Sequence, residues 1–402
     1  MFMKRVSVIL ALAVAALFVG CSKNEVAPVD GELQSVSFSP LAGKHSTKAT
    51  VDGTDYKTSD PTFGTFAYFL EKGKTWNANM ADAQLYIPVS EVSYLSSIST
   101  WTTAVPYYWP KQGSLTFFAY SPYKYQEAAY SSTALAVEYL TGNDGFQIEN
   151  YDVDAHQDTD FMVADFAQNK TANETNGGYK GVPVVFHHKL SQIVAINFLT
   201  VGEDASGNLV EKDYAHGNDG STKPYEAGDV VFKLKKVTVN KLCTTGIYGY
   251  TTTTASTGIT DSWYPDYSAP KSYIWYDKSS APEQFSGNTK FNLTYQSYDS
   301  SRNAYLLILP QYLYDPKGSI VPAVNPSITI EYQVLTYTSA TTYATENVSE
   351  TIYLYNVHNK AGSIEMNKKI TYTFKINLED RRIYWAPSVV DWESQTFTAE
   401  ID

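Results

Sequence analysis

The chain has 402 residues, a net charge of −12, only 18% charged residues and 33 tyrosines. Phosphate binding needs clustered Lys and Arg, so this balance argues against nucleic acid as a partner. Few charges and many aromatics also lie far from the composition of disordered chains, while Tyr and Thr at this density favour pleated sheet.

In chain order, the first feature is a secretory signal over residues 1–20. Lys4 and Arg5 precede an almost wholly apolar run from Val6 to Val19, and the small Gly20 comes next. That run is shorter than the roughly 20 apolar residues of a spanning helix, and its basic start and small cleavage-point residue describe an exported protein. Leu17-Phe18-Val19-Gly20-Cys21 resembles the lipobox of bacterial lipoproteins, with Phe18 where Leu is usual. Cys21 is therefore expected to carry lipid, palmitate included, as the first mature residue; the plainer alternative is an ordinary signal that contains a cysteine. Ser22 to Glu25 reads as a polar tether, and no later segment is apolar and long enough to cross a membrane. The chain beyond the signal is long enough for two or three domains at roughly 100–200 residues each.

Period-two alternation dominates the rest, so the fold class is all-β. Ser35 to Ser39 alternates just after the tether, and Leu41 to Ala49 is a polar loop containing Lys44 and Lys48. Ser90 to Ser97 and Ala128 to Leu140 carry enough helical period for a short turn each. Leu115 to Tyr120, Ile193 to Leu199, Ala304 to Leu309 and Thr351 to Tyr355 read as short or more apolar strands. Val230, Phe232 and Leu234 alternate, whereas Val237 and Val239 continue one step out of phase, so a β-bulge near Lys235-Lys236 is needed to restore one face. Ile328 to Tyr337 and Ile370 to Leu378 alternate almost ideally, the latter with five apolar side chains on one face. Turn signals such as Gly142-Asn143-Asp144-Gly145 separate these runs. The polar and small residues of Gln168 to Gly181 form the best seam, giving expected domains at 49–180 and 181–402. The final Thr396 to Ile401 alternates again, with Phe397, Ala399 and Ile401 on one side.

Catalytic chemistry is hard to find in this sequence. It has no HExxH, GxSxG, P-loop or CxxC pattern, and no cofactor or metal is expected. His187 and His188 are adjacent, so a strand sends the two rings to opposite faces. Asp152 to Asp160 contains several aspartates able to wrap a calcium ion, but Gln157 and Val163 stand where an EF-hand loop needs Gly and Glu, so a solvated loop is the expectation. Cys243 has no partner if Cys21 is acylated, and is expected to pack as a small hydrophobe. Trp101, Tyr107, Tyr108, Trp109, Trp263, Tyr264, Tyr267, Trp275 and Tyr276 lie in Pro- or Ser-containing stretches. As exposed loop rings they would stack on sugars, which makes a surface glycan-binding lipoprotein the alternative function.

Several landmarks resemble the fimbrillin family, the subunits of type V pili in Gram-negative anaerobes. Tyr107 to Pro122 (YYWPKQGSLTFFAYSP) looks like that family's N-terminal-domain signature. Asp160-Phe161-Met162-Val163-Ala164, Phe186-His187-His188-Lys189-Leu190, Tyr372-Thr373-Phe374 and Val389-Val390-Asp391-Trp392 resemble later ones, in family order. The resemblance implies two transthyretin-like antiparallel β-sandwich domains in tandem and a non-enzymatic fimbrial subunit of shaft or tip. It implies export to the outer membrane as a lipoprotein, then assembly into extracellular fimbriae. A trypsin-like surface protease would cut after Lys48, with Lys44 as the second choice, discarding residues 21–48. The displaced strand would carry Val36 and Phe38. A donor strand at 394–402, carrying Phe397, Ala399 and Ile401, would fill the groove of another subunit, though this segment also reads as the last strand of its own domain. Implied partners are other fimbrial subunits, the protease, the outer membrane and ligands on host or bacterial surfaces.

Overall fold

The structure is a computed structural model that describes residues 34–42, 56, 61–124, 134–172, 181–214, 224–252, 261–284, 291–297, 299–317, 325–358, 362–380 and 382–392. Within these residues the chain is mostly β, arranged as tandem sandwiches.

The first body is a sheet that curls until it meets itself. Strand Phe63–Leu70 pairs with Gln84–Leu95 on one side and with Ser114–Ser121 on the other. Around the rest of the ring, Gln84–Leu95 pairs with Thr100–Thr103, which meets Phe38–Ala42, which pairs with Val182–His188. Met162–Ala164 then joins Val182–His188 back to Ser114–Ser121. Alternation sends one set of side chains into the ring: Phe38, Phe63, Ala67, Leu115, Phe117, Ala119, Val184 and Phe186 all lie in one core. Phe66, Tyr68, Leu70, Phe118 and Tyr120 project outward from the same strands into a second core.

This double burial explains why Leu115 to Tyr120 is so apolar: all eight residues of strand Ser114–Ser121 are buried. Covering the outer face is a sheet of Ala136–Tyr139, Gly145–Asp152, Thr245–Thr251 and Ser262–Pro265. Its central ladder joins residues 145–152 to 245–251 and so spans the seam near residue 180. Val182–His188 also lies beyond that seam while forming a stave of the first ring.

The second body packs a six-stranded sheet against a five-stranded one. The first runs Leu209–Glu211, Ser191–Glu203, Lys368–Asn377, Arg382–Asp391, with Phe291–Leu293 and Leu306–Ile308 also paired to Ser191–Glu203; the second runs Lys271–Asp277, Val230–Leu242, Ser327–Tyr337, Tyr343–Tyr353, with Glu283–Gln284 also paired to Val230–Leu242. Ile328, Ile330, Tyr332 and Val334 share one core with Ile370, Tyr372, Phe374, Ile376 and Leu378. The expected bulge is present: the ladder between 230–242 and 327–337 shifts register between Leu234 and Lys236. Phe232, Leu234, Val237 and Val239 thereby all enter the same core. Two expectations are corrected. Ser90 to Leu95 is strand rather than helical turn, because its ladder with 63–70 and 100–103 outweighs a weak local period. Ala136–Tyr139 is strand for the same reason, paired in full with residues 146–149.

Phe118 stacks on Phe66 at 5.0 Å and on Phe166 at 5.9 Å between ring and cover. Phe118→Ala should lower stability by about 3–5 kcal/mol in urea unfolding. Thr345→Ala, at an exposed position of strand Tyr343–Tyr353, should shift it by less than about 0.5 kcal/mol.

Candidate functional site: the slot of the first strand

Residues 34–42 occupy a slot with main-chain partners on both sides. The Val36 N–H donates to the Tyr107 carbonyl (2.7 Å) and the Trp109 N–H to that of Gln34 (3.0 Å). On the other side the Val182 N–H donates to the Ser37 carbonyl (2.7 Å), and Phe38–Ala42 continues in parallel register from Val182 to Phe186. The expected alternating strand at Ser35 to Ser39 is therefore real but displaced: the ladder proper begins at Phe38, while Ser35 makes an isolated bridge to Tyr108.

Val36 and Phe38, each 2% exposed, point into the ring with Pro40, and Ser37 and Ser39 point away. The Phe38 ring meets Phe63 and Phe117 edge-on, both at 5.8 Å. Burying Val36 and Phe38 is worth about 1.5–3 kcal/mol each, an upper bound for a real unfolded chain.

Two residues that complete the slot carry no distinguishing signal in the sequence. Tyr56 enters the same core, its ring against Trp101 (5.3 Å), Phe186 (5.2 Å) and Phe63 (5.9 Å), and its hydroxyl bonds Ser121 Oγ at 2.8 Å. The chain is thus anchored in one core at 36–42 and again at 56. Lys44 and Lys48 fall between these anchors, outside the described residues. Gly181 has φ +135°, and a Cβ there would stand 2.7 Å from Phe38 N and from the Ser37 carbonyl carbon. Only glycine combines that backbone with so close an approach.

The other expected sites fall elsewhere. Cys21, Phe397, Ala399 and Ile401 lie outside the described residues. The rings expected to stack on sugars are mostly core: Trp101 and Trp109 line the ring, Trp263 lies in the second core, and Trp275 and Tyr276 in the third. Trp263 also donates its Nε1–H to the Lys189 carbonyl at 2.6 Å. This overturns Trp101 and Trp263 as exposed sugar platforms, because sheet burial of so large an apolar surface outweighs loop exposure; Tyr264 alone of that group is clearly exposed. The acidic stretch is tied to cations and hydroxyls within the protein. Asp154 meets Lys271 Nζ at 2.5 Å and Tyr273 OH at 2.6 Å. Burial works to raise its pKa, but these two bonds together hold it below the usual carboxylate range. His187 pairs with Asp165 and His188 with Asp160, two separate acids. Among the described residues no group of three or more His, Cys, Asp and Glu is placed to hold a metal ion. Cys243 is buried, and burial pushes its thiol up to about 12.

Residues 47–392 match the family described as Fimbrillin-like. The chain belongs to the Fimbrillin-like family. That is a family of fimbrial proteins, structural rather than enzymatic, which implies a place at the cell surface. Among solved structures, this fimbrillin-like chain is similar to a fimbrial protein from Bacteroides vulgatus: TM-score 0.51, 15% identity, 89% of this chain and 99% of the other covered. At that identity the likeness shows a shared fold. The fimbrial anchor protein Mfa2 from Porphyromonas gingivalis also aligns, at TM-score 0.29 and 9% identity over 89% of this chain and 98% of its own. Against curated proteins the sequence finds no match.

Phe38→Ala should cost about 3–5 kcal/mol in equilibrium unfolding of the intact chain. Gly181→Ala should cost about 1–3 kcal/mol through its backbone alone. A variant at either position as stable as wild type would mean the strand is not seated as described.

Proposed function

We propose that the fimbrillin-like chain is a structural subunit, shaft or tip, of a surface fimbria that is activated by losing its first strand. The observation that supports this is the first strand itself. It is a complete stave, bonded on both edges and buried through Val36 and Phe38, yet joined onward only through a segment that carries Lys44 and Lys48.

The steps follow physically. Cys21 would hold the exported precursor on the outer membrane through its lipid, with the slot closed. A trypsin-like protease cutting after Lys48, or after Lys44, would separate 34–42 from the Tyr56 anchor, and lipid and strand would leave together. Strands Thr100–Thr103 and Val182–His188 would then face each other as unpaired edges over an apolar floor of Phe63, Phe117 and Phe186. Unpaired edges of this kind recruit strands from other chains, and a segment with alternate apolar side chains is the matching occupant. Phe397, Ala399 and Ile401 of another copy have that spacing. Here residues 49–180, completed by Val182–His188, act as the acceptor body, and the remainder of 181–402 carries the donor.

Trypsin-like digestion of the purified lipoprotein precursor should yield a new N-terminus at Ala49 and multimer ladders that persist in SDS until heated. Replacing Lys44 and Lys48 with Gln should abolish both results. Clean cleavage at Ala49 that leaves only monomer would sink the proposal.

A further inference from the structure

Strand Tyr343–Tyr353 closes one side of the five-stranded sheet. It pairs with Ser327–Tyr337 over all eleven of its residues without a register shift, and its sequence contains no proline. The Thr338 N–H donates to the Thr342 carbonyl and the Leu354 N–H to that of Pro326, both at 2.9 Å. Both ends of the ladder therefore turn even-numbered amides inward, leaving the odd-numbered ones, Thr345 to Thr351 among them, pointing outward. Among the described residues no strand pairs with this outer edge. A long, regular edge of this kind is a template on which another chain can add a strand.

The side chains decide which chain that is. Glu346, Val348, Glu350 and Ile352 sit opposite Val334, Tyr332, Ile330 and Ile328, and those four are buried in the core. Alternation therefore puts Ala344, Glu346, Val348, Glu350 and Ile352 on the core side. Ile352 is buried and Val348 half-buried, whereas both glutamates are exposed at the rim. If a second copy aligned antiparallel over the full strand, residue 348 would lie on the two-fold axis, with outward amides meeting outward ones. Val348 would meet Val348, Ala344 would meet Ile352, Thr345 would meet Thr351 and Asn347 would meet Ser349. Only Glu346 and Glu350 would meet a like charge, and the two-fold axis would repeat that clash. Like charges directly opposite across strands are destabilising. The rest of the strand suits self-pairing; these two positions oppose it.

We propose that Glu346 and Glu350 make this edge selective by charge. It is closed to a second copy of the chain and open to a strand with Lys or Arg opposite each carboxylate and an apolar residue between them. Copies are thereby kept from joining side by side, which leaves the slot as their route of assembly. That last consequence rests on the function proposed above; the selectivity of the edge does not.

Sedimentation velocity of the uncleaved protein in detergent tests this. Wild type and the Glu346→Lys/Glu350→Lys variant should each be monomeric, and their equimolar mixture dimeric. The mixture should associate at least about ten-fold more strongly than either protein alone. Amides of Thr345, Asn347, Ser349 and Thr351 should gain exchange protection only in the mixture. Glu346→Thr/Glu350→Thr, which removes the charge without reversing it, should dimerise by itself. Glu226→Lys/Asp315→Lys, reversing two exposed acids elsewhere, should give no dimer with wild type. A monomeric mixture, a monomeric threonine variant or a dimer in that control each overturns the proposal. Wild-type dimers with the four amides protected overturn it too. No outcome here involves cleavage, so the proposed function fails or survives separately.

Discussion

Closure of the first ring depends on one short strand that is nearly independent of the rest of the chain in sequence. Phe38 lies edge-on to Phe63 and Phe117, while the backbone around it supplies the only described partner for one edge each of Thr100–Thr103 and Val182–His188. A stave inside a ring is worth more than the same strand at a sheet edge, since its loss exposes two edges and an apolar interior together. Stability and latent reactivity are here the same fact. The bonds that keep the slot shut are those another strand would replace.

Strands Phe63–Leu70 and Ser114–Ser121 carry that dependence outward. Their odd-numbered apolar residues line the slot, while Phe66, Tyr68, Phe118 and Tyr120 hold the covering sheet. The covering sheet includes residues 245–251 and 262–265, so the wall of the slot is packed against chain from the second half. Packed rings of this density resist deformation, which keeps the cavity shaped for an alternating strand and for little else.

The slot and the C-terminus meet at Val182–His188. Phe186 pairs with Ala42 at the end of the first strand, and two residues further on His188 stacks against Trp392 and pairs with Asp160. The root of the C-terminal segment is therefore fixed beside the point where the first strand leaves the ring. Strand Arg382–Asp391 ends at that same root.

Much of this was legible from sequence, for reasons that differ by element. Alternation in Ile328 to Tyr337 and Ile370 to Leu378 gave correct strands and faces, because a half-buried sheet leaves its period in the side chains. The bulge at Lys235-Lys236 was readable for the same reason, as a phase slip that only an extra residue repairs. Order of landmarks also led to the fimbrillin family. The ring, by contrast, depends on which edges meet, and pairing between residues 38–42 and 182–186 leaves no local mark. Trp101 and Trp263 looked like loop rings because neighbouring Pro and Ser are visible in sequence while the layer that buries them is not. Tyr56 and Gly181 were silent: one tyrosine among 33 and one glycine among 23 acquire roles only from the strand beside them. Sequence by itself determined a β chain and its faces, since those come from local chemistry and period. Tertiary structure alone decided that the first strand is a stave, because closure is a property of contacts between distant segments.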